Sequence, residues 1–125
     1  MNNEEFVEKY RETVNRIIIL AEKARREGLL AVEETVDENK YNQRGILEFG
    51  LRLIIDGTDS SIIERILTNI INLETDSNKR ILQTIEKEAA LGIQEGMNPR
   101  LLKVILNSYV NIDVEETMKQ YNNRK

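Results

Sequence analysis

The chain has 125 residues, with 18 basic and 22 acidic side chains and a formal net charge of -4, a balance that argues against a nucleic-acid binder. It contains no cysteine and no histidine, which excludes disulfides, thiolate metal sites and the commonest general base, so we expect neither a metal nor a cofactor. The apolar runs are far shorter than the roughly 20 residues that span a bilayer, and the acidic start is unlike a secretory signal. We therefore expect a soluble, cytoplasmic chain without direct membrane insertion.

The N-terminal third has the pattern of one long amphipathic helix that begins near Asn3 and ends near Glu34. Apolar and small residues alternate at spacings of three and four, as on the packed face of a helix. Their side chains shrink along the helix, so we expect another helix to approach closely at Ala21, Ala24 and Gly28. The residues of this face are Val7, Tyr10, Val14, Ile17, Ala21, Ala24, Gly28 and Ala31.

Two further helices follow a polar connection over residues 36–44. The first has its apolar face between residues 46 and 54, and Gly57 suits the left-handed conformation after a helix end. Asp59 can then cap a helix whose isoleucines and leucines recur at helical spacing over residues 62–71.

The apolar pattern lapses over residues 73–80, where Asp76, Ser77 and Asn78 all favour a turn or a helix start. Two structures are open for residues 59–96: a helical hairpin that turns at 75–78, or one continuous helix. We favour the hairpin.

The last third predicts two more helices. Gly96 ends the preceding helix, and Asn98 followed by Pro99 is a strong helix start. Asp113 with Glu116 has the spacing of a capping box for a short final helix. The sequence therefore predicts an all-α fold, a single domain over residues 1–125 that is a small bundle of five to six helices.

Neighbouring carboxylates are the only candidates for acid–base chemistry, and their surroundings are polar. Catalytic carboxylates need burial or a close like charge to shift their pKa. No phosphate-binding loop, zinc-protease, nucleophile-elbow or calcium-loop motif is present. We assign the carboxylates to solvated helix surfaces and expect no enzyme; they are Glu33, Glu34, Glu86, Glu88, Glu115 and Glu116.

A charged stretch surrounds Gly28, with Arg25 and Arg26 before it and Glu33 and Glu34 after it. Charges three or four positions apart on a helix can pair for a few tenths of a kcal/mol without any further role. The residues alone favour such surface pairing over a site that a partner recognises.

Three segments resemble the MotA family, the stator subunits of the bacterial flagellar motor. The segment LAEKARREGLLAVEE (20–34) resembles the start of the family's cytoplasmic region, and GLRLIIDGTDSSIIERIL (50–67) is similar to the segment that follows it. The segment EKEAALGIQEGMNPRLLKVIL (86–106) resembles the one after the last membrane helix. The three segments occur in the family's order.

The resemblance implies a MotA-like cytoplasmic domain in which both transmembrane hairpins are absent. In the family, two membrane helices precede the first segment and two more separate the second from the third. Residues 1–78 then correspond to the part before the second membrane hairpin, and residues 79–125 to the part after it. A chain of this kind would not conduct ions itself.

The resemblance also implies a partner. In the family, a basic and an acidic residue of this segment contact the rotor protein FliG. Aligned on the glycine, these match Arg25 and Glu33, with Arg26 and Glu34 beside them; on one continuous helix, Arg25 and Glu33 would lie about 12 Å apart on one side. We expect a motility module that docks on the C-terminal domain of FliG, or on another motor component, at the cytoplasmic face of the motor. The alternative is a scaffold that self-associates through helix faces into a homo-oligomer.

Overall fold

Residues 2–38 and 45–110, which the computed structural model describes, form six α-helices and one turn of 3₁₀ helix, and no strand is present among them. This confirms the predicted all-α bundle. The final helix predicted from Asp113 lies outside the described residues. The helices are α1 (Asn3–Glu27), α2 (Glu33–Glu38), α3 (Ile46–Ile55), α4 (Ser60–Ile71), α5 (Ser77–Glu95) and α6 (Pro99–Asn107), and the 3₁₀ turn is Leu29–Val32.

Helix α1 begins with a side-chain cap and buries one face. The Asn2 side-chain oxygen accepts a hydrogen bond from the Glu5 backbone N–H at 2.9 Å, which satisfies a donor that the first turn leaves free. Val7, predicted on the packed face, is only half-buried, and Phe6 takes its place. The buried residues of α1 are Phe6, Tyr10, Val14, Ile17, Ile18, Leu20 and Ala21.

The prediction of one helix as far as Glu34 is wrong, because α1 ends at Gly28. This residue has φ +94° and ψ 165°, a conformation that is essentially restricted to glycine. Its backbone N–H donates to the Ala24 carbonyl at 2.8 Å, after which the 3₁₀ turn leads into α2. The sequence pattern continued across Gly28, but the freedom of its backbone allowed the chain to change direction there.

The predicted close packing of helices at Gly28 is also wrong within the described chain. Gly28 is exposed, and a Cβ atom built on it meets nothing within 4 Å. Ala21 is buried and Ala24 packs against the core, as expected for the packed face of α1. Gly28 therefore ends the helix and takes no part in a close helix contact.

The predicted ends of the other helices are confirmed. Gly57 has φ +83° and Gly96 has φ +72°, the left-handed conformation that glycine adopts without a Cβ clash. The Asp59 side chain accepts from the Ser61 N–H at 3.1 Å, and the Asn98 side chain accepts from the Arg100 N–H at 2.8 Å. Local side-chain chemistry thus sets these boundaries.

Helices α4 and α5 form the predicted hairpin. Helix α4 ends at Ile71 and α5 begins at Ser77, with the Asp76 side chain accepting from the Asn78 and Lys79 backbone N–H groups at 2.9 and 3.2 Å. The two helices pack against each other. The continuous-helix alternative is therefore excluded.

Helix α5 is the centre of the bundle and packs against α1, α3, α4 and α6. Two helices approach closely at Gly50 of α3, where an added Cβ atom would lie 2.8 Å from the Ala90 Cβ and 3.2 Å from the Leu67 Cδ1. A side chain at this position would hold α3 and α5 apart. No helix in the described part of the chain combines the length and apolar character needed to cross a lipid bilayer.

Candidate functional site

The four charged residues singled out from the sequence lie on either side of the Gly28 turn. Arg25 and Arg26 lie in the last turn of α1, and Glu33 and Glu34 begin α2. Because the helix breaks between the two pairs, the expected separation of about 12 Å along one straight helix does not apply. The basic and the acidic pair are carried by two different helices.

These side chains differ in what they contact. Arg25 and Glu34 are exposed. The Arg26 Nη2 lies 3.2 Å from the Glu27 Oε2, with the Arg26 side chain 69% exposed. The Glu33 Oε1 lies 3.8 Å from the Arg52 Nη1 of α3, and both side chains are about 40% exposed. Glu33 is thus paired across the bundle with a residue that the sequence analysis did not consider.

A second cluster of charges lies inside the bundle, and the sequence analysis missed it. The guanidinium of Arg16 in α1 donates to the Glu48 carboxylate of α3 and, at 2.5 Å, to the Glu86 Oε1 of α5. The Glu48 side chain is 6% exposed and that of Glu86 is 13% exposed. One cation therefore holds a buried carboxylate and a largely buried one, and joins three helices.

The assignment of Glu86 to a solvated surface is wrong. Glu86 lies four positions after Leu82 and four before Ala90, and both of these residues belong to or pack against the core. Side chains at this spacing share one face of a helix, so the position of Glu86 between two core-facing residues indicated its burial. Its pairing with Arg16, 70 positions earlier in the chain, could not be predicted from neighbouring residues.

The pKa of the Glu86 carboxyl is raised from its ordinary 4.5 to about 7, because burial and the nearby Glu48 charge, which raise it, together outweigh Arg16, which lowers it. The desolvation of the charged form is the largest cause, as expected for a carboxyl group removed from water. The cluster can therefore bind and release a proton close to neutral pH.

Arg16 lines two cavities. The first, which we call the polar cavity, is an open space of about 620 Å³ between α1 and α5, lined among others by Lys9, Glu12, Lys79 and Glu86. Because this space is open, it gives water access to Glu86.

The second, which we call the apolar groove, has a volume of about 310 Å³ among α1, α2 and α3. Leu20, Val36 and Leu51 line it, together with Ile19, which is 65% exposed. Ile19 is thus the exposed edge of a groove whose other apolar residues are buried.

Comparison with known proteins gives two matches, both to a motility protein A. The chain is 33% identical over 87 residues to motility protein A of Treponema pallidum (strain Nichols) and 34% identical over 87 residues to motility protein A of Treponema phagedenis. Each match includes 70% of this chain and 32% of the relative. No family model and no solved structure matches the chain. The chain thus spans about a third of the length of the curated relatives it matches, and over that part it shows a relationship to motility protein A.

Proposed function

We propose that the chain is an interaction module of the flagellar motor, corresponding to the cytoplasmic part of a motility protein A. The observation that carries this proposal is the match over 87 residues to two motility proteins A. In this proposal the chain acts at the cytoplasmic face of the motor and contributes binding only. Neither catalysis, ion conduction nor a cofactor is assigned to it.

The partner that we propose is the C-terminal domain of the rotor protein FliG, contacted through Arg25, Arg26, Glu33 and Glu34. The exposure of Arg25, Arg26 and Glu34 supports this choice, because exposed charges are available to a partner without unfolding. Complementary surface charges give specificity and fast association more than tight affinity, and salt weakens them.

Glu33 requires a separate argument, since Arg52 already lies 3.8 Å from it. A partner cation that approaches Glu33 competes with the Arg52 guanidinium. An exposed pair of this kind is worth about 1 kcal/mol or less, so the competition is readily won. We therefore expect Glu34 to contribute at least as much to docking as Glu33.

The test is a titration of the labelled full chain with the C-terminal domain of FliG from the same organism, at low and at high salt. The charge-reversed variant combines Arg25→Glu, Arg26→Glu and Glu34→Lys. The control combines Glu95→Lys at the end of α5 with Arg100→Glu near the start of α6, and both positions are exposed. We expect binding at low salt that weakens about tenfold or more in the reversed variant and changes little in the control. Absence of binding at low salt, or equal binding by both variants, would contradict the proposal.

A further inference from the structure

Five charged side chains of alternating sign connect the interior of the bundle to the start of α2. At the inner end, the Arg16 guanidinium of α1 donates to Glu86 and to Glu48. At the outer end, the Arg52 Nη1 of α3 lies 3.8 Å from the Glu33 Oε1 of α2. We call this series the charge relay, and its members in order are Glu86, Arg16, Glu48, Arg52 and Glu33.

Helix α3 links the two ends of the charge relay. Glu48 and Arg52 both belong to α3 and are four positions apart, a spacing at which side chains are neighbours on one helix face, and an acid that precedes a base is the favourable order. Glu48 also lines the apolar groove together with Thr35 and Val36 of α2. Its carboxylate therefore lies beside the helix that begins with Glu33.

Glu86 is the member of the charge relay that titrates near neutral pH. The charges that act on its carboxyl group are Arg16 of α1 and Glu48 of α3, and both belong to the relay. Three further charged side chains line the polar cavity beside Glu86, and all three are exposed, so water screens them. They are Lys9, Glu12 and Lys79.

Helices α4 and α6 also pack on α5, and groups from them contact other residues of α5. The Glu64 Oε1 of α4 lies 3.8 Å from the Lys87 Nζ, and Tyr109, just after α6, hydrogen-bonds with Glu88. Lys87 and Glu88 are turned about 100° and about 200° from Glu86 around α5. These contacts therefore lie on other sides of α5 than the charge relay.

Because one cation is shared by two carboxylates, the position of Arg16 depends on the charge of Glu86. When Glu86 is protonated, Arg16 is attracted by Glu48 alone, and the Glu48 carboxylate is then less available to Arg52. When Glu86 is ionised, it draws Arg16 toward α5, and Glu48 attracts Arg52 more strongly. Arg52 lies between Glu48 and Glu33, so a stronger attraction to Glu48 weakens its hold on Glu33. Each step is a competition between opposite charges at short range.

We propose that Glu86 regulates docking on the rotor protein by setting how firmly Arg52 holds Glu33. Loss of the Glu86 proton makes Glu33 available to a partner, and gain of the proton withdraws it. The proposal rests on the docking role assigned to Glu33 above, and it adds the control of that role by a largely buried group of another helix. Coupling between distant groups requires an element with two arrangements that both groups bias, and the Arg16 guanidinium is that element.

The expected effect on docking is modest, because exposed pairs such as Arg52–Glu33 contribute little free energy. Arg25, Arg26 and Glu34, the other charges of the proposed contact, are not members of the charge relay. We therefore expect the affinity for the C-terminal domain of FliG to rise about threefold between about pH 6 and about pH 8.

The first experiment follows the side-chain carboxyl carbons of the full chain alone by NMR, between about pH 6 and about pH 8.5. The Glu33 Cδ signal should shift with the same midpoint as the Glu86 Cδ signal. Glu34 is the matched control, because it is the next residue and is exposed, and its signal should not shift at this midpoint. A Glu33 signal that does not follow Glu86 would overturn the proposal.

Two variants test whether the signal passes through the charge relay. Glu86→Gln removes the titrating group, and Glu48→Gln removes the charge in the middle, so Glu33 should lose its shift in both. Glu95→Gln, at an exposed position of α5, should leave the shift as in the wild type. Circular dichroism verifies that each variant keeps its helical content. A shift of Glu33 that persists without Glu48 would exclude the relay as its cause.

The second experiment is the titration with the C-terminal domain of FliG at the same two pH values. Since Glu86→Gln resembles the protonated form, wild type and variant should bind equally at about pH 6, and the wild type about threefold more tightly at about pH 8. A ratio of affinities that is the same at both pH values would show that Glu86 does not regulate docking. Absence of binding at both would contradict the docking itself, whereas the shift of Glu33 is measured without FliG and is independent of that outcome.

Discussion

Arg16 of α1 donates a hydrogen bond from its Nη2 to the Oε1 of Glu86 in α5, 2.5 Å away, and the same guanidinium contacts Glu48 of α3. Taking charged groups out of water is costly, and a pair recovers that cost only when its geometry is good. With two carboxylates for one cation, the cluster carries an excess negative charge when both are ionised. Protonation of Glu86 removes that excess.

The stability of the fold should therefore depend on pH through Glu86. Its pKa is about 7 in the folded chain, against an ordinary value of 4.5. Between these values the folded state binds more protons than the unfolded state, so the contribution of Glu86 is fully present below about pH 4.5 and is lost as the pH rises through about 7. We expect a loss on the order of 3 kcal/mol across this interval. Urea unfolding followed by circular dichroism at about pH 5 and about pH 8 measures it.

The Glu86→Gln variant isolates this effect from other titrating groups. A neutral amide has no proton to lose, so the difference between the unfolding free energies of wild type and variant should change across the interval. Glu95→Gln, at an exposed position of the same helix, should leave the pH dependence of the wild type unaltered. Parallel pH profiles for the wild type and Glu86→Gln would show that the pKa of Glu86 is not raised.

Removal of the shared cation should be more damaging at high pH than at low pH. Arg16→Gln leaves two buried carboxylates without a positive partner, a change that costs about 3–5 kcal/mol in fully buried pairs. Because the Arg16 side chain is 39% exposed, we expect about 2 kcal/mol at about pH 8, and less at about pH 5, where Glu86 is protonated. Adding Glu48→Gln should recover part of the loss. Arg80→Gln, at an exposed position, should cost almost nothing, and equal losses in both arginine variants would contradict the role of the cluster.

The turn at Gly28 should not tolerate a side chain, although there is room for one. A Cβ atom at this residue meets nothing within 4 Å, but φ is +94°. Backbone conformations restricted to glycine cost other residues about 1–3 kcal/mol, so Gly28→Ala should lower the melting temperature. Gly45 provides the comparison, since its φ of -67° and ψ of 136° are ordinary; Gly45→Ala carries no backbone strain and should cost less than Gly28→Ala, through the weaker preference for alanine at the N-cap of α3 alone. A melting temperature lowered by neither variant, or equally by both, would argue against strain at Gly28.

The contact between α3 and α5 should not tolerate a side chain at Gly50, because the backbone there is ordinary but there is no room for one. At Gly50 the backbone is helical, but an added Cβ atom would lie 2.8 Å from the Ala90 Cβ. Overpacking of this kind costs about 1–3 kcal/mol, so Gly50→Ala should destabilise the chain in urea. The double variant Gly50→Ala with Ala90→Gly exchanges the two side chains across the contact and should recover part of the loss. Additive losses in the double variant would show that the contact is looser than described.

The features that the sequence predicted correctly are those set by neighbouring residues. Gly57, Asp59, Gly96 and Asn98 act within three or four positions of themselves, through a left-handed residue or a side chain that accepts from a backbone N–H. The hairpin was predicted for the same reason, since Asp76 caps α5 on its own.

The features that were missed depend on residues far apart or on the backbone of one glycine. Arg16, Glu48 and Glu86 are separated by 32 and 70 positions, and only the packing of three helices brings them together. At Gly28 the spacing of small residues fitted a continuing helix equally well, so the period of the pattern could not reveal the break. Apolar periodicity predicts which face is buried, whereas the end of a helix depends on backbone conformation.

The α4–α5 hairpin has a consequence for how much chain this fold can accept. The connection between Ile71 and Ser77 is at one end of the bundle, and Leu73 within it is 82% exposed. Exposed turn tips tolerate insertions better than any other part of a domain, and lengthening a loop costs little entropy. An added segment whose own two ends lie side by side, such as a pair of antiparallel helices, would extend α4 and α5 without moving them. The bundle can therefore accept an inserted segment in the α4–α5 connection without a rearrangement of its helices.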